Sequence, residues 1–210
     1  MENPWTENII VADADYIDRV AFNLIVNFER MLERPIPPAD MSRWVECVAL
    51  DGGMRQRQEA GADADRQETT VVLLHNKESD HLENFRPSHY ATELNGQAFS
   101  SPLGEFTFHA FSSEGMASKE DFLADTLLTI GSQKAVRRLM VVADDAIYNK
   151  VRATVKTIDE TDDTKRITVF SMQPQAGGPF RQELLGFSLM AALGIRGEEI
   201  EEKTKRQKNN

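Results

Sequence analysis

The stretch Asn8-Ile9-Ile10-Val11-Ala12-Asp13-Ala14-Asp15 constrains the fold more than any other part of the chain. Four apolar residues run without a break towards two carboxylates, and an amphipathic pattern begins at once. Ile17, Val20, Ala21, Leu24, Ile25, Phe28, Met31 and Leu32 repeat at the i, i+3, i+4, i+7 spacing of one buried helix stripe. An uninterrupted apolar strand is what burial on both faces of a sheet requires. Strand, acidic tip and returning helix together predict an open α/β sheet. Such sheets gather their chemistry beyond the carboxyl ends of the strands.

The rest of the chain continues the alternation. Further strands are expected over residues 44–50, 70–75, 138–143 and 166–172, and helices over 118–131, 147–158 and 180–193. Arg34-Pro35-Ile36-Pro37-Pro38 ends the first helix, because proline cannot continue a helix interior. Ser118-Lys119-Glu120-Asp121 resembles a capping box, with Asp where Glu or Gln is usual. Asn95-Gly96 is a turn signal, and Phe106, Phe108 and Ala110 alternate with Thr107 and His109. Residues 92–111 therefore read as a β-hairpin whose last strand reaches the sheet. A short helix is expected around residues 80–85. Residues 54–68 fit either a loop or an exposed helix, and the charged residues 197–210 read as a disordered tail. The expectation is one α/β domain over residues 1–196, with three layers: a largely parallel central sheet flanked by helices, carrying a hairpin insertion.

Composition narrows the function classes. The 210 residues suffice for one domain with a sizeable core. No apolar run approaches the ~18–20 residues that span a bilayer, so no membrane association is expected. The first residues lack a basic region followed by an apolar one, so no secretory signal is read. Cys47 is the only cysteine. That excludes a disulfide framework within one chain and favours a reducing cytoplasm. Cys47 itself sits among apolar neighbours and reads as a core residue on the second strand. A net charge of −10 argues against a broad basic surface for nucleic acid, but not against a metal site built from acids. Composition by itself names no partner, and self-association with further copies of the same chain stays open.

Two strand ends carry acids, Asp13/Asp15 and Asp144/Asp145, and Asp121 and Asp125 lie about one turn apart on a helix. Clustered carboxylates raise each other's pKa values unless a cation neutralises them. A hard cation such as Mg²⁺ or Mn²⁺ fits such a cluster and can activate water. The plainer reading is local: Asp15 and Asp145 would cap their helices, Asp121 would belong to the capping box, and Asp125 would face solvent. The four histidines, His75, His81, His89 and His109, show no metal-ligand spacing and read as surface or loop residues.

Asp13-Ala14-Asp15 after an apolar strand, Glu120-Asp121 with Asp125 on a helix, and Val142-Ala143-Asp144-Asp145 at a later strand end resemble the NYN branch of the PIN-like nuclease superfamily. The resemblance covers the framework of residues 8–32 and 106–172. It implies a metal-dependent phosphodiesterase acting on RNA. Asp13 and Asp144 would be catalytic, and Asp13, Asp121, Asp125 and Asp144 would hold Mg²⁺ or Mn²⁺. Ala146 departs from the pattern where a further acid is usual, which implies weakened activity. The apolar strand with Asp13 and Asp15 also resembles haloacid-dehalogenase-type phosphatases. That likeness implies Asp13 as nucleophile, Asp15 as acid/base and Lys134 as the charge-balancing lysine. The third alternative is a non-catalytic binding or scaffold module. The chain as a whole is similar to an uncharacterised bacterial family, from which no activity carries over.

Overall fold

A computed structural model describes residues 5–56, 67–113 and 118–208. Its elements in chain order are β1 (Asn8–Asp13), α1 (Ala14–Leu32), β2 (Ala39–Asp40), α2 (Met41–Asp51), β3 (Glu68–His75) and β4 (Phe85–Arg86). A π-helical turn (Tyr90–Leu94), β5 (Ala98–Ser101), β6 (Gly104–Ser112), α3 (Lys119–Gly131) and β7 (Arg138–Val142) follow. The chain continues with a 3-10 turn (Asp145–Ile147), α4 (Tyr148–Thr161), β8 (Arg166–Ser171), β9 (Arg181–Leu184), α5 (Leu185–Ala192) and α6 (Gly197–Lys208).

The central sheet has the order β5-β6-β3-β1-β7-β8-β9. Every pairing in it is parallel except the β5–β6 hairpin. The chain moves outward from β1 through β3 to β6, then crosses back to β7 and moves outward through β8 to β9. The direction reverses between β1 and β7, which makes their carboxyl ends the topological switch point.

β1 is central because both of its faces are covered. Ile10 and Ala12 pack on the side of α1, α2 and α5, while Ile9 and Val11 pack on the side of α3 and α4. All four are fully buried. Each of the larger ones contributes roughly 1.5–3 kcal/mol relative to exposure. The three-layer α/β architecture is thus the one expected, and the hairpin joins the sheet edge through β6. None of the helices described is long and apolar enough to cross a membrane.

Four local expectations are corrected. Residues 44–50 are helical, part of α2. Met41, Trp44, Val45, Val48 and Ala49 are its buried residues, and their spacing has the helical period. Asp40 caps the helix by accepting from the Arg43 N–H at 3.0 Å. Cys47 therefore lies on a helix and is only partly buried. Residues 181–184 form β9 before α5 begins, because Arg181–Leu184 find ladder partners in Thr168–Ser171 of β8. Around residues 80–85 there is no helix; His81 instead bridges His89 and β4 pairs with β2. Finally, most of the expected tail is α6. Arg34 donates to both carboxylate oxygens of Glu199 at 3.0 Å, Lys203 pairs with Glu33, and Ile200 packs against the core. These contacts fix a helix whose composition alone would not. Most of residues 54–68, namely 57–66, fall outside the described residues.

Candidate active site

The switch point holds both strand-end acids. Ala12 of β1 and Val142 of β7 are register partners. Asp13 follows one residue later on β1, and Asp144 two residues later beyond β7, so both reach the same edge of adjacent strands.

Asp13 is 5% exposed. It caps α1, accepting from the Tyr16 N–H at 3.0 Å. The expected cap, Asp15, lies instead in the first turn of α1. Lys119, the first residue of α3, brings its ammonium between the two. It contacts Asp13 and lies 2.6 Å from Asp15 Oδ2, which also accepts from the Asn76 N–H at 2.9 Å. Burial pushes the Asp13 carboxyl above its ordinary value, and Lys119 and the Tyr16 N–H offset this only in part.

Asp144 caps the 3-10 turn through the Ala146 N–H at 2.9 Å. Its other oxygen accepts from Arg19 at 2.5 Å. Burial acts to raise this carboxyl, but the Ala146 N–H and Arg19 outweigh it and hold the group low. Arg19 lies 5.4 Å from the centre of the Tyr16 ring, a cation–π arrangement that orients it. Asp145 accepts from the Tyr16 hydroxyl and from the Met172 N–H, both at 3.2 Å. Burial, and then Asp145, push the Tyr16 phenol up. Asp145 thus ties α1 to the end of β8.

Asp121 and Asp125 are not part of this group. Asp121 binds Lys150 of α4 at 3.0 Å and the Ser118 hydroxyl at 2.8 Å, which lowers its pKa. Asp125 is exposed on α3 and adds its charge to the field at Lys150. Helix geometry explains this, since residues two apart point about 200° away from each other. With Lys119 turned towards Asp13, Asp121 must turn away. Of Asp13, Asp121, Asp125 and Asp144, no three bring ligand atoms within 4.8 Å of one another. Lys134 is exposed beyond α3, before β7 begins, and so lies away from these carboxyl ends.

The edge therefore carries four carboxylates, Asp13, Asp15, Asp144 and Asp145, against two cations, Lys119 and Arg19. Beside it lies an open cleft of about 540 Å³ lined by Asp15, Asp18, Arg19, Phe22, Glu83 and Asn84. Asp18 fixes one wall by accepting from the Glu83 and Asn84 N–H groups at 3.1 and 2.8 Å.

A protein-family comparison matches residues 2–200, nearly the whole chain. The chain belongs to a family of unknown function, DUF6621. No curated protein and no solved structure matches it. Membership in that family brings no substrate or residue role, so the functional reading rests on geometry. In the sequence, Lys119 stands out only as a residue of the Ser118–Asp121 capping box, and Arg19 has no evident role. A lysine two residues from an acid on a helix start was the available signal. Its partner could not be read without the rotation of α3.

Proposed function

We propose that the carboxyl edge of this sheet hydrolyses phosphodiesters with the help of a divalent cation, RNA being the substrate class. The observation that carries the reading is the Lys119 ammonium held between Asp13 and Asp15. Two carboxylates at a switch point converge there on one positive charge. Mg²⁺ commonly takes only one or two carboxylates, with water and substrate phosphate completing its shell, so this donor pair fits Mg²⁺ or Mn²⁺. Asp121 and Asp125 are not needed for it. When bound, such an ion supplies a Lewis acid and a more acidic water.

The chain's own groups do the rest. Asp13 and Asp15 would hold the cation, Asp13 being a buried carboxylate whose pKa burial raises against the pull of Lys119. Lys119, released from the two acids, is free to pair with a phosphate oxygen, and Arg19 flanks the cleft as a second donor. Asp144 holds Arg19 in place. Ala146 offers no further acid, so turnover is expected to be slow. Wild type is expected to cleave single-stranded RNA with Mg²⁺ or Mn²⁺. Asp13→Ala is expected to lose ~100-fold or more of the rate, since even outer-shell changes cost 10–100-fold. Equal cleavage by the two proteins, or none with either metal, would overturn the reading.

One feature favours a second reading. Lys119 touches acids at i and i+2, the pattern that an aspartyl-phosphate phosphatase needs, and it would replace Lys134 in that role. The Asp13 carboxylate would attack phosphorus, Asp15 would protonate the departing alcohol, and water would then release phosphate from Asp13. A phosphoryl adduct trapped on Asp13 during phosphomonoester turnover supports this reading, and turnover without the adduct rejects it.

A further inference from the structure

We infer that Asp80, His81 and His89 form a binding site for a divalent transition metal of the zinc class, separate from the acidic edge. One ligand atom from each of the three lies within 4.8 Å of the others, and among the described residues no other such group of three is found. Two imidazoles and a carboxylate are a zinc donor set, whereas Mg²⁺ and Ca²⁺ favour oxygen ligands. Glu83 Oε1 lies 3.0 Å from His81 Nε2, across the ring from the Asp80 contact at Nδ1, and so helps to orient the ring from outside the group of three.

The backbone already holds these residues in place. His81 and His89 pair across an antiparallel bridge, with ring centroids 5.2 Å apart. The Leu82 N–H donates to the Ser88 carbonyl at 3.0 Å, and the Tyr90 N–H to the Asp80 carbonyl at 3.1 Å. Glu93 accepts from the Ser88 and His89 N–H groups at 2.8 and 3.0 Å. The ligands therefore stand on a closed loop, and binding has little chain entropy to overcome. His81 hydrogen-bonds Asp80 through Nδ1 at 2.5 Å and Glu83 through Nε2 at 3.0 Å, which fixes the ring between them.

The position gives the site a consequence. Glu83 and Asn84, between the two histidines, hold Asp18 of α1 and line the cleft beside Asp15. A metal here fixes that wall of the cleft.

The test is titration of the chelator-treated full chain with Zn²⁺, and with Co²⁺ for its visible absorption. With excess Mg²⁺ present to occupy the acidic edge, one equivalent is expected to bind with micromolar or tighter affinity. His81→Ala and His89→Ala should each weaken binding about tenfold or more. Both sites are at the surface, so the variants should fold; retention of the wild-type melting temperature without metal checks this. Asp13→Asn should leave the affinity unchanged, which separates this site from the acidic edge. Binding that survives in both histidine variants, or that is lost in Asp13→Asn, overturns the assignment.

Discussion

Asp13, Asp15 and Asp144 at the carboxyl ends of the strands each meet a cation, whereas at the amino ends Arg138, Arg166 and Arg181 crowd one another. Arg138 and Arg166 open β7 and β8 as direct cross-strand partners, and Arg181 opens β9. They line one cavity of about 360 Å³ with Gly52, Gly53 and Lys165. Arg138 donates to the Gly52 carbonyl at 2.7 Å, while its Nε is buried without a hydrogen-bond partner among the described residues. Burial first, and then Arg166, push the Arg138 pKa down, with Glu7 opposing. Like charges opposite each other weaken a sheet locally. The amino edge tolerates this because much of it faces water, where repulsion is screened. The carboxyl edge has no such freedom. Asp13 is buried, and a buried charge needs a partner.

The difference can be broken most forcefully at Lys119. Lys119→Met leaves Asp13 buried without its ammonium. We expect a loss of about 2–3 kcal/mol, somewhat below the usual cost of breaking a buried pair because Lys119 is partly exposed. Urea unfolding measures it, and a change under ~0.5 kcal/mol would mean that the pair is ornamental.

Asp13→Asn sharpens the comparison through pH. The folded-state pKa of Asp13 lies above its ordinary value of 3.8. The folded protein therefore binds this proton more tightly than the unfolded chain does. Stability from the group is complete below 3.8 and is lost as pH rises through the folded-state value. Asparagine keeps an oxygen for the Tyr16 N–H and removes the buried charge. Its unfolding midpoint should equal or exceed wild type at neutral pH, and the gap should close on acidification. A neutral-pH midpoint well below wild type would show that the ion pair with Lys119 outweighs burial.

At the amino edge, Arg138→Met should change stability by less than ~1 kcal/mol, because relief of repulsion offsets the lost Gly52 bond. A loss of ~2 kcal/mol or more would give Arg138 a structural role equal to that of Lys119. The smallest effect belongs to Arg19→Ala. Its side chain is 57% exposed, and such pairs are worth about 0.2–1 kcal/mol. The variant should unfold near wild type while RNA cleavage falls, and an equal loss of both would recast Arg19 as scaffold.

The elements that depart from expectation do so for local reasons. Trp44, Val45 and Val48 are strand-favouring residues in a short apolar run, and such a run does not separate strand from buried helix. The helical period shows once the window opens at Met41, since Met41, Trp44, Val45, Val48 and Ala49 then fall on one face. Tail residues Glu198 to Lys208 have too little apolar surface to fold alone, and α6 exists because Glu33 and Arg34, just past the end of α1, pair with it. His81 and His89 lie on a surface loop, as their scatter in the sequence suggests, and a bridge sets them side by side.

By itself, the sequence determined that β1 would be a strand buried on both faces, that α1 would return across it, and that Asp13 and Asp144 would stand at strand ends. Apolar periodicity is a local property, and burial reads it directly. Tertiary structure alone decided what faces those acids. Lys119 lies 104 residues beyond Asp15, and its reach depends on how α3 is rotated when it docks. The same rotation sends Asp121 to Lys150. Charges pair by distance in space, so the stretch that organises the fold could announce its carboxylates but not the cation that occupies them.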